Sequence, residues 1–369
     1  MKLEKFLNAH PDDWEELLAA APYNLTIKRD GNFVLFKYNQ FNSDMRLEIC
    51  QEARGCIFAL EPDGWRCVCY PFRKFFNWQE PYADDLGQWR NVKVLEKIDG
   101  SLMKMWCYHG VWFISTNGMI NAFAAEISSN LSYGQLFANV VYENMTLRDF
   151  CDTLNPHYCY MFELVSPLTR LVVEYKKNAI YFLGARDMRT GEELQPSLIP
   201  MPQWVKRPKE FLCSSFEEAV QQCKLMGANE EGYVCCGELM ENGSFARVKM
   251  KGAEYLRLAK LAGNGAVTVS KIISLWQDED LDDFLAIHPE WIPLAHDVLQ
   301  KIINWVGIAE MAWGAVKGIK DRKTMAIAAH SYVGIIKAYI FARLDGKIES
   351  AREWFKRTDA KKIEELIGN

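Results

Sequence analysis

Up to residue 251 the chain alternates apolar and polar residues in short runs, which is the two-residue period of strands that bury one face. Turn residues such as Asp30-Gly31 and Pro62-Asp63-Gly64 separate several of these runs. The runs that predict strands are residues 32–38, 55–60, 111–118, 158–165, 180–186, 230–236 and 245–251. Sheet therefore dominates the first two thirds of the chain.

Apolar residues spaced three and four apart predict helices over 1–20, over 122–154 with a break near 132–134, and over 214–225. Strand alternation stops near residue 260, and residues 281–341 carry helical spacing with few turn residues. We therefore predict an α+β fold. An antiparallel-sheet domain would cover residues 1–260, and a mostly helical C-terminal domain would cover residues 261–369.

The composition, 49% hydrophobic and 25% charged among 369 residues, is that of a soluble protein large enough for two domains. The 11 cysteines form no C-x-x-C pair and the 6 histidines no H-x-x-x-H pair, so a zinc enzyme is disfavoured. This cysteine content suits reduced thiols inside a cell. The N-terminus lacks the apolar core of a signal peptide, and no apolar run of about 18 residues occurs. We expect a cytoplasmic protein without a membrane partner.

The formal net charge of -5 argues against a surface of uniformly positive potential, so nucleic-acid binding would need a local patch. The run 245–251 supplies one, because Arg247, Lys249 and Lys251 alternate with apolar residues and share one strand face. Like charges in a row repel one another. Such a row is expected to face a polyanion or open water.

Lys97-Ile98-Asp99-Gly100 stands between two apolar runs and predicts a strand, a tight turn and a strand, with Gly100 giving the turn its backbone freedom. Poor solvation at the end of an apolar strand favours the neutral, nucleophilic amine of Lys97. Asp99, two residues on, can hold a metal or a sugar hydroxyl beside that amine. The alternative is a surface hairpin with a Lys–Asp pair.

Attack on the α-phosphate of a nucleotide needs a neutral amine, cations on the phosphoryl oxygens and carboxylates for Mg²⁺ and the ribose. Glu163 lies in an apolar run, where it either pairs with a buried arginine or contacts a metal or ribose. Neither a P-loop nor a protein-kinase signature occurs. The residues that supply this chemistry, each on or beside a predicted strand, are Lys97, Asp99, Glu163, Glu231, Lys249 and Lys251.

In order and spacing these residues resemble the motifs of the covalent nucleotidyltransferases, the superfamily of ATP-dependent ligases and GTP-dependent capping enzymes. Residues 97–101 resemble motif I, 162–165 motif III, 231–234 motif IV and 248–251 motif V. Further features are similar to the phage-type RNA ligase 1 family over nearly the whole chain. They are Tyr38-Asn39, Arg54-Gly55, residues 74–77, residues 167–170, Tyr255 and residues 320–324.

The resemblance implies an ATP-dependent enzyme that joins 5'-phosphate and 3'-hydroxyl RNA ends in RNA or tRNA repair. Lys97 would take AMP from ATP and release pyrophosphate. AMP would then pass to the RNA 5'-phosphate, and the 3'-hydroxyl would attack to seal the ends. The implied cofactors are ATP and Mg²⁺, which Mn²⁺ can replace. The implied partner is RNA ends, such as those of a cleaved tRNA anticodon loop, with the enzyme a monomer.

The resemblance also assigns the surroundings of the nucleotide. Residues expected at the ribose or phosphates are Tyr38, Arg54, Lys74, Phe76, Asp99, Gly100, Glu163 and Tyr255. Those expected at the adenine are Glu96, through its backbone, and Val234. The catalytic set is Lys97, Glu231, Lys249 and Lys251, with the last two on the α-phosphate. The metal would be held by Asp99, Glu163 and Glu231.

One position departs from the family pattern. Relatives carry Lys or Arg before the glycine of motif Ia, whereas this chain has Asn117-Gly118. An amide can hydrogen-bond a ribose or phosphate, so Asn117 stays among the expected nucleotide contacts, but it brings no charge. We expect a weaker grip on phosphate there, or compensation by a neighbouring cation.

The helical domain would choose the RNA, with Arg322 and Lys323 as candidate contacts, although Asp321-Arg322-Lys323 can equally be the start of a helix. A DNA ligase or capping enzyme would share the motifs but continue into a β-rich domain, against the helical pattern after residue 260. The remaining alternatives are a non-catalytic RNA-binding scaffold and a ligase for a non-nucleic substrate.

Overall fold

The structure is a computed structural model that describes residues 1–39, 42–128, 130–169, 172–227, 229–256, 268–279, 281–287, 291–319 and 321–368. The chain divides into two compact units, Met1–Lys260 and Leu261–Asn369. The described part of the first unit is built on antiparallel sheets with short helices, and that of the second unit is helical. The predicted α+β fold class is confirmed.

The strands of the first unit are β1 (Thr26–Asp30), β2 (Phe33–Lys37), β3 (Arg54–Glu61), β4 (Gly64–Cys69), β5 (Phe76–Asn77), β6 (Lys93–Glu96), β7 (Ser101–Tyr108), β8 (Val111–Thr116), β9 (Glu126–Ser128), β10 (Leu131–Ser132), β11 (Tyr158–Val165), β12 (Ala179–Asp187), β13 (Glu193–Leu194), β14 (Glu210–Phe211), β15 (Gly232–Leu239) and β16 (Phe245–Lys251). Its helices are α1 (Lys2–Ala9), α2 (Trp14–Ala19), α3 (Glu48–Glu52), α4 (Tyr133–Tyr142), α5 (Leu147–Asp152) and α6 (Phe216–Lys224).

The described strands form three main sheets. β1 to β4 make a four-stranded antiparallel sheet in chain order. A five-stranded sheet has the order β13-β12-β11-β7-β8, and a second has the order β14-β6-β15-β16-β5. All pairs in these two sheets are antiparallel except β16 with β5. We call the first of these five-stranded sheets the β11 sheet and the second the β15 sheet.

The core of the β11 sheet forms against α4, which begins where its sequence caps a helix. Ser132 Oγ accepts a hydrogen bond from the Gln135 N–H at 3.2 Å, and Gln135 Oε1 accepts one from the Ser132 N–H at 2.7 Å. The helix buries Phe137 in a cluster with Phe162 of β11. The apolar face that alternation gives β11 thus packs against the apolar face that helical spacing gives α4. Both patterns can be recognised in the sequence.

Two helix predictions differ from the structure. The single helix expected over 1–20 is split into α1 and α2, because Pro11 has no N–H to donate and follows His10, the C-cap residue of α1. Residues 126–128 and 131–132, which lie in a region expected to be helical, form the paired strands β9 and β10 before the cap of α4. The first N–H groups of α1 are bound by a side chain from another helix, because the Glu52 carboxylate accepts from the Lys2 N–H at 2.9 Å and from the Leu3 N–H at 2.7 Å.

The helices of the second unit are α7 (Val269–Asp278), α8 (Leu281–Ile287), α9 (Ile292–Val316), α10 (Arg322–Ala329), α11 (Gly334–Leu344), α12 (Ala351–Arg357) and α13 (Ala360–Ile367). Glu310 of α9 ties three of them together: Oε1 accepts from the Tyr339 hydroxyl at 3.0 Å and from the Ala351 N–H at 2.6 Å. Among the described helices, none combines the length and apolar composition that a membrane crossing requires.

Candidate active site

Lys97 lies where the chain crosses from one sheet to the other. β6 ends at Glu96 in the β15 sheet, and β7 begins at Ser101 in the β11 sheet. The two predicted strands are present, but they are not neighbours, so the hairpin alternative is wrong. The four residues between them join two separate sheets, which places Lys97 beside side chains from both.

Gly100 is needed for a reason other than the predicted one. Its backbone does not lie in the left-handed region. A Cβ at this position would instead lie 2.5 Å from the carbonyl oxygen of Leu164 and 3.0 Å from Cγ of Glu163. Glycine therefore allows the crossing segment to pass close to β11, and this brings Glu163 next to it.

Strand register brings Lys97, Glu231 and Lys251 together. Glu96 opposes Tyr233 in the β6–β15 pair, and the Lys97 N–H continues that ladder to the carbonyl oxygen of Gly232 at 2.8 Å. Gly232 in turn opposes Lys251 in the β15–β16 pair. The ends of three neighbouring strands thus coincide, although their residues are far apart in sequence.

Gly232 is also a steric requirement. Its φ of 153° lies at the upper edge of the region that favours glycine, and a Cβ there would lie 2.0 Å from the carbonyl oxygen of Met250. Any side chain would push β15 away from β16 at the point where Glu231 and Lys251 meet. The glycine after Glu231 therefore maintains the geometry of the site.

Glu231 is the centre of the charged cluster. Its Oε1 lies 2.5 Å from Nζ of Lys97 and 3.3 Å from Nζ of Lys251. The residue is only 3% exposed, and its Oε2 is buried without a hydrogen-bond partner among the described residues. A buried carboxylate oxygen with no partner is costly, and it marks a position for a cation or a hydroxyl donor.

Glu163, on β11, has an unusual protonation state. Loss of hydration raises the pKa of its carboxyl to about 8, nearby Lys97 opposes this rise, and Glu231 adds to it. Arg54 also acts to lower the pKa. Glu163 is therefore neutral near pH 7 in the nucleotide-free protein, beside the cluster of Lys97 and Glu231.

Both carboxylate oxygens of Asp99 accept hydrogen bonds from other groups of the protein. Its Oδ2 accepts hydrogen bonds from the N–H groups of Val172 at 3.0 Å and Val173 at 2.9 Å, and its Oδ1 accepts from the Tyr255 hydroxyl at 3.1 Å. The Asp99 N–H donates to the Tyr175 hydroxyl at 3.2 Å. Asp99 thus anchors residues 172–175 and Tyr255 beside the crossing segment. No sequence pattern pointed to Tyr175.

Arg54 and Asn117 come together at Gly55. The Arg54 guanidinium lies over the ring of Phe75 at 5.2 Å, and its Nη1 is buried without a hydrogen-bond partner in the described part of the chain. The Asn117 Oδ1 is likewise buried and unpartnered there. These two atoms, one a donor and one an acceptor, are free to bind a ligand.

Lys74 is enclosed by the aromatic residues predicted to accompany it. Its Nζ donates to the Tyr38 hydroxyl at 3.1 Å and lies 5.0 Å from the ring of Tyr38 and 5.5 Å from that of Phe76. It is 6% exposed. Lys74 and Tyr38 therefore present one hydrogen-bonded polar edge, and Phe76 lies on β5, the neighbour of β16.

The three cations of β16, Arg247, Lys249 and Lys251, do not share one environment. The prediction that they face a polyanion or water is wrong for Arg247. The Nη2 of Arg247 lies 2.5 Å from Oε2 of Glu193, and its guanidinium lies over the ring of Phe72 at 4.5 Å. Arg247 is thus a buried structural ion-pair partner. Only Lys249 and Lys251 remain at the site end of the strand.

Val234 and Glu96, expected at the adenine, lie on the paired strands β15 and β6 beside the crossing segment. Lys323, expected at RNA, is exposed in the first turn of α10. Asp321 caps that helix by accepting from the Thr324 N–H at 2.7 Å, so the helix-start interpretation is confirmed. The side chain of Arg322 lies outside the described residues.

No group of three or more His, Cys, Asp or Glu side chains among the described residues is arranged to hold a metal ion. The acidic oxygens on offer are Oε2 of Glu231, which has no hydrogen-bond partner in the described part of the chain, and those of the Glu163 carboxyl. Mg²⁺ is commonly held by one or two carboxylates together with substrate phosphates and water. The donor set therefore fits a metal that arrives with a nucleotide, whereas Asp99, with both oxygens engaged, does not fit as a ligand in this arrangement.

A family model described as RNA ligase matches residues 52–255. An RNA ligase of Rhodothermus phage RM378 is 25% identical over 407 aligned positions, which cover 91% of this chain and 90% of the relative. A putative bifunctional polynucleotide kinase/RNA ligase of Autographa californica nuclear polyhedrosis virus is 28% identical over 275 positions, which cover 70% of this chain and 38% of that protein.

Two solved structures are similar at lower identity. An archaeal ATP-dependent RNA ligase is 15% identical with a TM-score of 0.47, over 100% of this chain and 99% of that one. A Naegleria gruberi RNA ligase mutant with ATP and Mn is 16% identical with a TM-score of 0.34, over 46% of this chain and 51% of that one.

Proposed function

The chain belongs to the phage-type ATP-dependent RNA ligase family, and on this premise we propose that it seals 5'-phosphate and 3'-hydroxyl RNA ends through an AMP bonded to Lys97. The observation that carries the proposal is the cluster at the sheet crossing. Lys97 Nζ lies 2.5 Å from Glu231 Oε1, with Lys251 on the same oxygen at 3.3 Å. A nucleophile, a carboxylate and a phosphate-binding cation thus share one point.

The first step joins Lys97 to the nucleotide. Its Nζ attacks the α-phosphorus of ATP, a nitrogen–phosphorus bond forms, and the bond to the pyrophosphate oxygen breaks. Attack needs a neutral amine, whereas the ion pair with Glu231 holds Lys97 as an ammonium. Nucleotide binding must therefore break the Lys97–Glu231 pair, and Lys97 must pass one proton to the Glu231 carboxylate or to water before it attacks.

Two further transfers complete the reaction. An oxygen of the RNA 5'-phosphate takes AMP from Lys97, and the RNA 3'-hydroxyl oxygen then attacks that 5'-phosphate and displaces AMP. Each transfer develops negative charge on phosphoryl oxygens. Lys249 and Lys251, both nearly buried at the end of β16, are placed to stabilise that charge where water screens it least.

The nucleotide would be held by residues that lie on or next to β3, β8, β11 and β15. Arg54 Nη1 and Asn117 Oδ1 are unpartnered in the described part of the chain and suit ribose or phosphate groups. A divalent metal, Mg²⁺ or Mn²⁺, would neutralise the phosphates. The oxygens of Glu231 and Glu163 would hold it together with the nucleotide. Asp99 is better suited to holding residues 172–175 and Tyr255 in place than to the metal.

The proposal is tested by incubating the protein with Mg²⁺ and ATP labelled at the α-phosphate. An acid-stable protein–AMP adduct is expected, and Lys97→Ala should abolish it. Lys93→Ala is the matched control, because Lys93 lies on β6, the strand that leads to Lys97, but pairs at the surface with Glu210 at 3.9 Å. Labelling by GTP in place of ATP would point to capping chemistry. Absence of any adduct would support the alternative that the protein is a non-catalytic RNA-binding scaffold.

The substrate is tested with matched single-stranded RNA, single-stranded DNA and a nicked anticodon-loop RNA, each with a 5'-phosphate and a 3'-hydroxyl. We expect sealing of RNA and not of DNA, with the anticodon loop preferred. Equal sealing of DNA would contradict the assignment of RNA as substrate. We further propose a cytoplasmic monomer, and sedimentation of the purified protein checks the monomer.

A further inference from the structure

A lysine that the proposed chemistry does not use lies in the middle of β7. The side chain of Lys104 is 0% exposed, between Met161 of β11 and Ser115 of β8. No carboxylate lies within ion-pair distance of it among the described residues, and its Nζ donates to the carbonyl oxygen of Gly55. Burial of an ammonium without a counterion costs free energy, so packing alone gives no reason for it.

Lys104 and Asn117 converge on Gly55 from two neighbouring strands. A Cβ on Gly55 would lie 2.6 Å from the carbonyl oxygen of Asn117, 2.8 Å from its Oδ1 and 3.1 Å from Nζ of Lys104. The ammonium and the amide oxygen therefore border the same spot. Lys104 opposes Ser115 of β8, and Asn117 lies one residue beyond the end of that strand.

The backbone at Gly55 also fixes Arg54. Gly55 has a φ of +79°, which few other residues adopt, so the direction in which β3 begins depends on this glycine. Arg54, the preceding residue, has a buried Nη1 with no partner in the described part of the chain, and it acts on the carboxyl of Glu163. A bond that holds the Gly55 carbonyl therefore also holds the guanidinium at the site.

We propose that Lys104 is a positioning residue of the nucleotide site, which fixes Arg54 through the Gly55 carbonyl and places a positive charge beside the uncharged Asn117. The inference rests on the proposed function, because Arg54 is taken there to bind the nucleotide. Lys104 itself, being fully buried, touches no substrate. Its effect on the reaction is carried by Arg54 and by the residue at position 117.

The first test replaces the charge with an apolar chain of similar length, Lys104→Met. Loss of a hydrogen bond to a charged group predicts a roughly 10- to 100-fold fall in the second-order rate constant for adenylylation of Lys97. Most of it should appear as a higher KM for ATP, with a smaller fall in the rate at saturating ATP. The melting temperature should not fall, because an apolar side chain suits the site.

The second test separates positioning from packing. Adding Asn117→Lys to Lys104→Met returns an ammonium to the same spot from the neighbouring strand, and we expect most of the KM for ATP to recover. The control is Lys104→Met with Val111→Lys, which adds a lysine at an exposed position at the other end of β8 and should recover nothing. Equal KM values in these two double variants would overturn the proposal.

Lys104→Gln keeps the hydrogen-bond donor without the charge, and it decides the question if Lys104→Met fails to fold. A raised KM for ATP that Asn117→Lys restores supports the proposal, and an unchanged KM contradicts it. The proposed function stands or falls separately. A wild-type protein that forms no AMP adduct refutes the ligase chemistry, whereas an active wild type with an unaffected Lys104→Met refutes only the role of Lys104.

Discussion

At the scale of single residues, close approach of the backbone explains more of the site than any turn does. Gly100 and Gly232 each leave room for a neighbouring strand. An added Cβ would lie 2.5 Å from the carbonyl oxygen of Leu164 at Gly100, and 2.0 Å from that of Met250 at Gly232. The charged groups are then forced together. Glu231 satisfies one oxygen with Lys97 and Lys251 and leaves the other unpartnered in the described part of the chain.

Gly100→Ala should damage the site without removing a functional group. The added Cβ meets the backbone of β11, and such overpacking costs about 1–3 kcal/mol of unfolding free energy. Adenylylation of Lys97 should fall with it, since the crossing segment moves. Gly227→Ala is the control, because its Cβ would meet nothing nearer than an ordinary 3.8 Å contact. Urea unfolding and the ATP labelling assay measure the two effects, and equal behaviour of the variants would refute the steric argument.

Glu163 should make the stability of the nucleotide-free protein depend on pH. Its folded-state pKa of about 8 lies above its usual value of 4.5, so between these pH values the folded state binds more protons than the unfolded state. The free energy of unfolding should therefore fall as pH rises through this window. Glu163→Gln removes the effect. The difference in unfolding free energy between this variant and the wild type should shift in favour of the variant by about 2 kcal/mol from pH 5 to pH 8.

Chemical denaturation at several pH values measures the difference. Glu126→Gln is the control, because the Glu126 side chain is exposed on β9. Its stability curve should run parallel to that of the wild type. A Glu163→Gln curve that also runs parallel would show that the carboxyl of Glu163 keeps an ordinary pKa.

At the scale of elements, the site depends on how strands of different sheets are held to one another. Arg186 of β12 donates to Oε1 of Glu193 at 2.9 Å, and Arg247 of β16 lies 2.5 Å from the other oxygen, Oε2. Glu193 therefore joins the β11 sheet to the strand that carries Lys249 and Lys251. Arg186 also binds the backbone carbonyl oxygens of Tyr70, Gly191 and Gly243.

Glu193→Gln should be strongly destabilising, because it leaves two buried arginines without their shared carboxylate. Breaking a buried ion pair from one side costs about 3–5 kcal/mol of unfolding free energy. Arg189→Gln is the control: its pair with Asp187 has the same kind of geometry at 2.6 Å, but the arginine is 55% exposed. Exposed pairs contribute about 0–1 kcal/mol. Thermal and urea unfolding compare the two, and similar losses would refute the linking role of Glu193.

At the scale of the whole molecule, the chain combines a sheet-built unit that carries the candidate site with a second unit whose described residues are helical and lie outside that site. The charged cluster lies wholly within Met1–Lys260. The unit Leu261–Asn369 is held by its own contacts, such as those of Glu310. We propose that the helical unit selects the RNA.

Lys323→Ala should then affect RNA binding but not the chemistry. Its ammonium is exposed at the start of α10, and loss of one phosphate contact should lower the salt dependence of RNA binding by about one counterion. Adenylylation of Lys97 should be unchanged. Lys301→Ala is the control, since Lys301 already pairs with Asp297 at 3.0 Å. Unaltered binding of the nicked anticodon loop by Lys323→Ala would contradict the assignment.

Much of the fold followed from the sequence, which also singled out the residues that the structure gathers around Lys97 and Glu231. Alternation predicted residues 158–165 as a strand, and β11 spans Tyr158–Val165. Local patterns of this kind are legible because burial on one face imposes a period on neighbouring residues. The family and its RNA ligase chemistry were likewise legible, from the order and spacing of Lys97, Glu163, Glu231 and the lysines of β16.

The partner of each charged group, in contrast, depends on the tertiary structure. Nothing local distinguishes Arg247, which pairs with Glu193, from Lys251, which meets Glu231, because both lie on one face of one strand. Likewise, no local pattern shows that Asp99 accepts hydrogen bonds from Tyr255 and from the N–H groups of residues 172 and 173, or that Lys104 donates to the Gly55 carbonyl. These contacts join residues distant in sequence, so they depend on sheet register and crossing, which no period along the chain encodes.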